Sequence, residues 1–548
     1  LKLKNIFSFI CCFIALSIST NNWAQNAKKI IVEFSDFADV NQSEIPDALL
    51  LSGNVKVSHD GVVLYCNKAY FFQKENYIKA FGNVRMMQGD TLSMTSTYVE
   101  YNGEIKQAFA SGNVIMTSPS SSLATEVLNF DRNSQQAFYK TGATITDKEN
   151  ILKSMSGTYI VEKKMYQFRN TVTITNSKYI IKTNHLDYYE NVGHAYLFGP
   201  STITSKENYI YTEKGFYDTK KNLAHFVKNS HIKYDNRIVK ADSIYYDRKQ
   251  DFASATRNVK ITDSINNSIV KGHYAEVYKA KDSVMITKRA VAMSLIEKDT
   301  LYIHGKKIII TGKPQDRIVR AFNNVRFYKI DMSGKCDSLH SDEKKGLTKL
   351  IGSPVLWNFE NQMTGDVMHL IANKKTQKLD SLKVLSNTFI VSKDTIGTGY
   401  NQIKGQNLYG KFKESKLQTV DIIKNAEVIY YMRNDDNELI GIEKTVSSDI
   451  SLTFDQGQVE AISFITRVEG DIYPEEELHE NDKLLKGFIW RGNERIKSEK
   501  DIFPEEENIY DLEMQKASKK DKLKENLPLE VRKESITAKK EVAKKKKK

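Results

Sequence analysis

The side chains best able to do chemistry are spread along this chain in a pattern that suits no familiar reaction. Its ten histidines run from His59 to His479, and the closest pair, His225 and His231, lacks companions at metal-ligand spacing. Aspartates return at intervals, as Asp131, Asp187, Asp218 and Asp247; turn chemistry accounts for them, because a short carboxylate accepts backbone amides just beyond it. There is no H-E-x-x-H, no G-x-S-x-G elbow, no phosphate loop and no dinucleotide-binding glycine fingerprint. Cys66 and Cys336 are the two cysteines outside the N-terminal apolar run, too few for a disulfide framework or a zinc set. Their distance along the chain also argues against a bond between them. The expectation is therefore no catalytic residue, no metal and no cofactor. What remains is the burial of apolar surface, and for that the sequence is regular.

A short tract ending in an apolar residue recurs: "GNVKV" at Val57, "GNVRM" at Met86, "GNVIM" at Met116, "GATIT" at Ile145 and "NTVTI" at Ile174. It continues at Ile203, Ile232 and Ile261, with successive steps of about 29 residues and almost no drift. Looser copies follow at Met293, Phe327 and Trp357, then near "SNTFIV" and "NAEVIYY", giving about thirteen in all. The apolar side chains of this tract form the candidate binding set: Val55, Val57, Val84, Met86, Val114, Met116, Ile145, Val172, Ile174, Ile203, Ile232, Val259, Ile261, Val291, Met293, Val325 and Phe327. Each would act by non-directional burial, at about 25 cal/mol per Å² of apolar area removed from water.

Each copy reads as three short strands. The first is the tract just quoted; the second has forms such as "LSMTSTYVEYN" and "RIVKADSIYYD"; the third is shorter, as in "KQAFASG". Period-two alternation, β-branched and aromatic enrichment, and Gly, Asn or Asp at the joins all favour strands over helices. One copy cannot bury its apolar face alone, so neighbours must stack. Lined up, the first tracts make a continuous apolar track, and sheets that do not fully close would leave it open along one side.

The two ends read differently. Residues 1–25 have Lys2 and Lys4 ahead of an apolar run and a small-residue exit, the pattern of a secretory signal peptide; 26–47 form a lead-in. Residues 516–548 are Lys-rich and read as a disordered tail, carrying about nine net positive charges of the chain's +13. The body is then almost neutral, which argues against a nucleic-acid groove. No apolar run after the start is long enough to cross a membrane as a helix. Between repeats and tail, 471–515 is a charged segment with large apolar anchors, expected to cap the last exposed strand.

The openings "LSGNVKVSHDGVVLYCNKAYFF", "AFGNVRMMQGDTLSMTSTYVEYN" and "ASGNVIMTSPSSSLATEVLNFD" resemble the OstA-like family of lipopolysaccharide transport. The resemblance is clear over 48–330 and fades over 331–470. It implies an all-β, elongated, incompletely closed β-jellyroll built here from tandem three-strand repeats, with a disordered or helical charged tail. It also implies that lipid A acyl chains ride inside while sugars stay in solvent, and that lipopolysaccharide is carried for outer-membrane assembly. The implied location is the periplasm, with a peripheral place at the outer membrane as a variant. The implied partners are lipopolysaccharide and other transport components, joined through end-to-end β-strand pairing. This chain is far longer than the family's bridge protein and lacks the strand series of a large membrane barrel. Two other readings stand beside this one: a structural or adhesive β-solenoid with a sealed core and Asn ladders, and a β-helix polysaccharide-active enzyme.

Overall fold

The computed structural model describes residues 29–525, apart from 41–44, 297, 314–315, 374–375, 377, 395, 414–415 and 456–457. The expected signal peptide and the residues beyond 525 lie outside this range. Among the described residues thirty-four strands follow one another, and neighbouring strands pair antiparallel, as in Leu49–His59 against Val62–Phe72 and Tyr77–Gln88 against Leu92–Asn102. A parallel β-helix would need the opposite pairing.

The chain divides into two compact units, the first built from 1–206 and 213–221, the second from 207–212 and 222–548. The same device builds both. The third tract of one copy and the first tract of the next are not the separate strands that the sequence predicts but two arms of one strand bent at a corner. In Tyr77–Gln88 the corner is Gly82–Asn83, and one extra residue there shifts the register against Val62–Phe72 between Tyr65 and Lys68. Both corner residues are left-handed: φ is +75° and +46° at Gly53–Asn54, and +77° and +51° at Gly112–Asn113. The pair recurs at Asn170–Thr171, Arg257–Asn258, Ser386–Asn387 and Lys424–Asn425. Gly and Asn tolerate positive φ best, so the repeated "GN" marks a bulge that bends the strand without ending it. Near residue 140 the two arms do part, as Gln136–Tyr139 and Ala143–Thr146.

Bending every long strand at one line folds the sheet into two facing walls. The arms after the corner (Val55–His59, with Val62–Cys66 of the next strand) form the valine wall. The arms before it (Leu49–Ser52, with Lys68–Phe71) form the alanine wall, named for its inward Ala69, Ala80 and Ala110 in the first unit and Ala224 and Ala255 in the second. The corner asparagines tie neighbouring strands along the crease: Asn54 Nδ2 donates to Asp36 at 2.9 Å, Asn258 to Asp242 at 2.9 Å and Asn387 to Asp366 at 3.0 Å.

After the strand Glu469–Tyr473 the chain turns back as a strap, 474–504, over the outer face of the second unit. Gln402, fully buried, donates to the Lys483 carbonyl and accepts the Leu485 amide, both at 2.8 Å. Gln362 does the same with Ile489 and Arg491, at 2.7 Å each. Leu485, Phe488 and Trp490 pack on Phe389, Val391, Ile429 and Tyr431. The expected cap over the last strand is thus a strap across a sheet face, because its apolar anchors match outward apolar positions there. Helix α1 (Glu505–Glu525) follows, so residues 516–525, expected as tail, continue a helix.

Candidate functional site: the interior between the walls

The walls put most of the first-tract set on one inward face. In the first unit Val55, Val57, Val84, Met86, Val114, Met116, Ile145, Val172, Ile174 and Ile203 are all buried, as are Ile232, Val259, Ile261, Val325 and Phe327 in the second. The neighbour between two of them shows the alternation: Ile115, between Val114 and Met116, is 44% exposed. Opposite Val62, Met86, Met94 and Met116 of the valine wall stand Leu128 and Phe130 of the alanine wall, around a cavity of about 20 Å³. That is room for about one water. The interior is packed around this cavity, and an acyl chain fits there only if the walls move apart.

Val291 and Met293 depart from the set. Following the corner Lys288–Arg289, the inward places by analogy with Val55 and Val57 fall to Ala290 and Ala292. Val291 and Met293 instead pack beneath the strap's Ile496, Ile502 and Phe503. By size the sequence predicts the larger apolar residues of "AVAM" as inward; the strap explains why they face outward.

Sequence reasoning also missed the second wall. Val99, Tyr101, Leu128, Phe130, Leu186 and Ile244 are buried inward positions of the second tract, and their period-two spacing was a readable signal. Ala80 and Ala110 escape a reading by size because they are small, though each sits two residues before a corner, in "KAFGN" and "AFASGN".

The reactive residues are otherwise engaged. Burial pushes the Cys66 thiol up to about 11 and the Cys336 thiol up to about 12, and a protonated thiol is a poor nucleophile. His225 Nε2 lies 2.8 Å from Ser243 Oγ, and His231 stacks on Tyr211. Asp131, Asp218 and Asp247 accept backbone amides at turns. Asp187 is the exception: it sits within the strand Ile180–Tyr189 and accepts from Arg169 at 3.1 Å. Among the described residues no three His, Cys, Asp or Glu side chains group as a metal site, and no helix is long and apolar enough to cross a membrane.

Among the described residues the flank opposite the corners has no strand pairing between the walls; polar side chains bridge it. Arg132, at the rim of the alanine wall, donates to the Asp60 carbonyl at 2.8 Å and to the Tyr101 hydroxyl at 3.0 Å. Lys106 pairs with the Asp60 carboxylate at 2.9 Å. In the second unit Lys279 pairs with Glu207 at 2.5 Å and Arg317 with Asp263 at 2.9 Å.

The family described as "OstA-like protein" matches residues 27–184 and 163–242, a shorter span than the 48–330 over which the motif reads by eye. No curated protein matches the chain. Among solved structures the chain is similar to LptH, the LptA homologous periplasmic component of the conserved lipopolysaccharide transport device from Pseudomonas aeruginosa. That likeness has 16% identity and a TM-score of 0.20, and covers 26% of this chain and 95% of that one. The recurring "GNV" corners of the first unit fall within the matched segment, so residues 27–242 of this chain are what is similar to the OstA-like family.

Proposed function

We propose that this protein holds the acyl chains of lipopolysaccharide between its valine and alanine walls and helps carry the molecule across the periplasm for outer-membrane assembly. It acts as a carrier and not as an enzyme. The observation that carries this reading is the interior itself: two apolar faces joined through backbone at the corners and, among the described residues, by side-chain contacts at the opposite flank. Such a sandwich can open on one side without losing its strand ladders. Burying an acyl chain yields about 0.8 kcal/mol per methylene, so a chain of about twelve carbons supplies roughly 10 kcal/mol against the side-chain packing and rim contacts that opening disrupts. The family resemblance points to the same cargo.

Partners that pair end to end have an edge to use. Ile31–Phe34 and Phe37–Asp39 pair, among the described residues, with one arm each of Leu49–His59. Ile31, Phe34 and Phe37 are more than half exposed, and an edge with free backbone groups accepts a further strand.

A structural β-solenoid is the second reading, and the packed interior and the row of corner asparagines favour it. Extraction of the purified, folded chain separates the two. Co-purifying lipopolysaccharide, lost when Met116 or Ile174 is replaced by Asp, supports the carrier. Full retention of lipid by Met116→Asp, or no acylated lipid bound at any concentration, overturns it.

A further inference from the structure

The rim bridges have a consistent polarity. Lys106, Arg132, Lys279 and Arg317 all lie in turns of the alanine wall, whereas Asp60, Glu207 and Asp263, which face them, lie at the rim of the valine wall. Other contacts run the other way: Glu190 accepts from Ser118 and Ser120, Arg237 approaches Asp282 at 3.7 Å, Gln88 donates to Gln135 at 3.2 Å and Asn208 to the Tyr246 hydroxyl at 3.3 Å. The two arginines are not fully used. Arg132 Nε and Arg317 Nε are buried, and among the described residues neither has a hydrogen-bond acceptor. Arg317 and Asp263 keep only 11% and 9% of their side-chain surface exposed. A buried guanidinium edge without an acceptor is costly unless some state of the protein supplies one.

We propose that these rim cations, with Arg132 and Arg317 foremost, bind phosphate groups on the headgroup of an acylated amphiphile, and that the facing carboxylates and carbonyls are the partners they exchange for it as the walls part. The inference rests on the carrier reading. Acyl chains lying between the walls must leave the headgroup in water at the open flank, since burying its charge without partners is prohibitive. Phosphate oxygens then arrive where Asp60 and Asp263 now stand. A guanidinium takes phosphate through two parallel N–H groups, which engages the Nε left idle by the present partners.

The test uses the full chain, an acylated glucosamine disaccharide bearing phosphates, and the same molecule with its phosphates removed. The wild type should bind the phosphorylated form at least tenfold more tightly (about tenfold for each charged hydrogen-bonding group lost). Arg132→Gln with Arg317→Gln should abolish that preference while leaving affinity for the dephosphorylated form unchanged or raised. Asp263→Asn should strengthen binding of the phosphorylated form, because it removes the competing acceptor; a purely structural role predicts weaker binding of both forms. Equal loss of both forms in the double variant, or an intact preference, overturns the proposal. Failure of the carrier reading looks different: the wild type then binds neither form.

Discussion

A left-handed φ at two successive residues is unusual for side chains other than Gly and Asn, and this chain repeats it at most of the corners on which its walls depend, Gly142 and Gly199 being single. Gly112 illustrates the constraint. Its φ is +77°, and a Cβ there would run into the Thr97 hydroxyl on the adjoining strand. Gly61 has φ +84° but open space around it. Gly112→Ala should therefore lower local stability by about 2–3 kcal/mol, combining backbone strain with the clash, and Gly61→Ala by about 1 kcal/mol. Hydrogen exchange along Gln107–Thr117 for the first variant and along Leu49–His59 for the second measures this directly: protection falls for the first and little for the second. The asparagine that follows does separate work, since Asn258→Ala removes the bond to Asp242 across the crease at a cost of about 1 kcal/mol. Corner residues were legible as a repeat because spacing survives in one dimension. Their meaning as bends was not, because a "GN" inside a strand and a "GN" ending one differ only in the pairing of the partner strand.

At the scale of elements, the strap is where sequence patterning misleads. Strands with one face in solvent alternate cleanly, as around Ile115, but strands under the strap are apolar on both faces. Ala426 and Val428 are buried, and so are Ile429 and Tyr431 under Leu485. Period-two reading assigns one inward face, so it placed Val291 and Met293 inside by size and had no reason to suspect a cover. The two glutamine clamps make the strap's attachment testable. Gln402→Leu leaves the Lys483 carbonyl and the Leu485 amide without their partners, a loss of about 1–3 kcal/mol for each buried group. Exchange of the Leu485 amide should accelerate about tenfold or more, and proteases should cut within 478–491, while strands of the first unit keep their protection. Retained protection at Leu485 would mean that apolar packing alone holds the strap.

For the whole molecule, the feature least visible in sequence is the bridging of the flank, because it joins turns far apart in the chain: Arg132 reaches Asp60 and Lys279 reaches Glu207, each across 72 residues. No local pattern announces such a pair, whereas the strands, their order and most inward residues follow from local alternation and period. The bridging predicts how the second unit responds to acid. Burial works against ionisation of Asp263, but hydrogen bonds from Asn266 and the charges of Arg317 and Arg237 outweigh it and hold the carboxyl below its ordinary 3.8. A carboxylate whose folded pKa is depressed contributes stability that is complete well above 3.8 and is lost as pH falls through the folded value. The second unit's rim should therefore hold its protection from neutral pH down to about pH 4 and loosen in stronger acid. Asp263→Asn should cost about 2 kcal/mol at neutral pH and converge with wild type at low pH, where both side chains are uncharged. Exchange of the Arg237–Asp247 strand, followed from neutral pH to below pH 3.8, gives the readout. Parallel curves for the two proteins across that range would show that the Asp263 charge does not hold the rim, and that the flank is kept closed by apolar packing behind it.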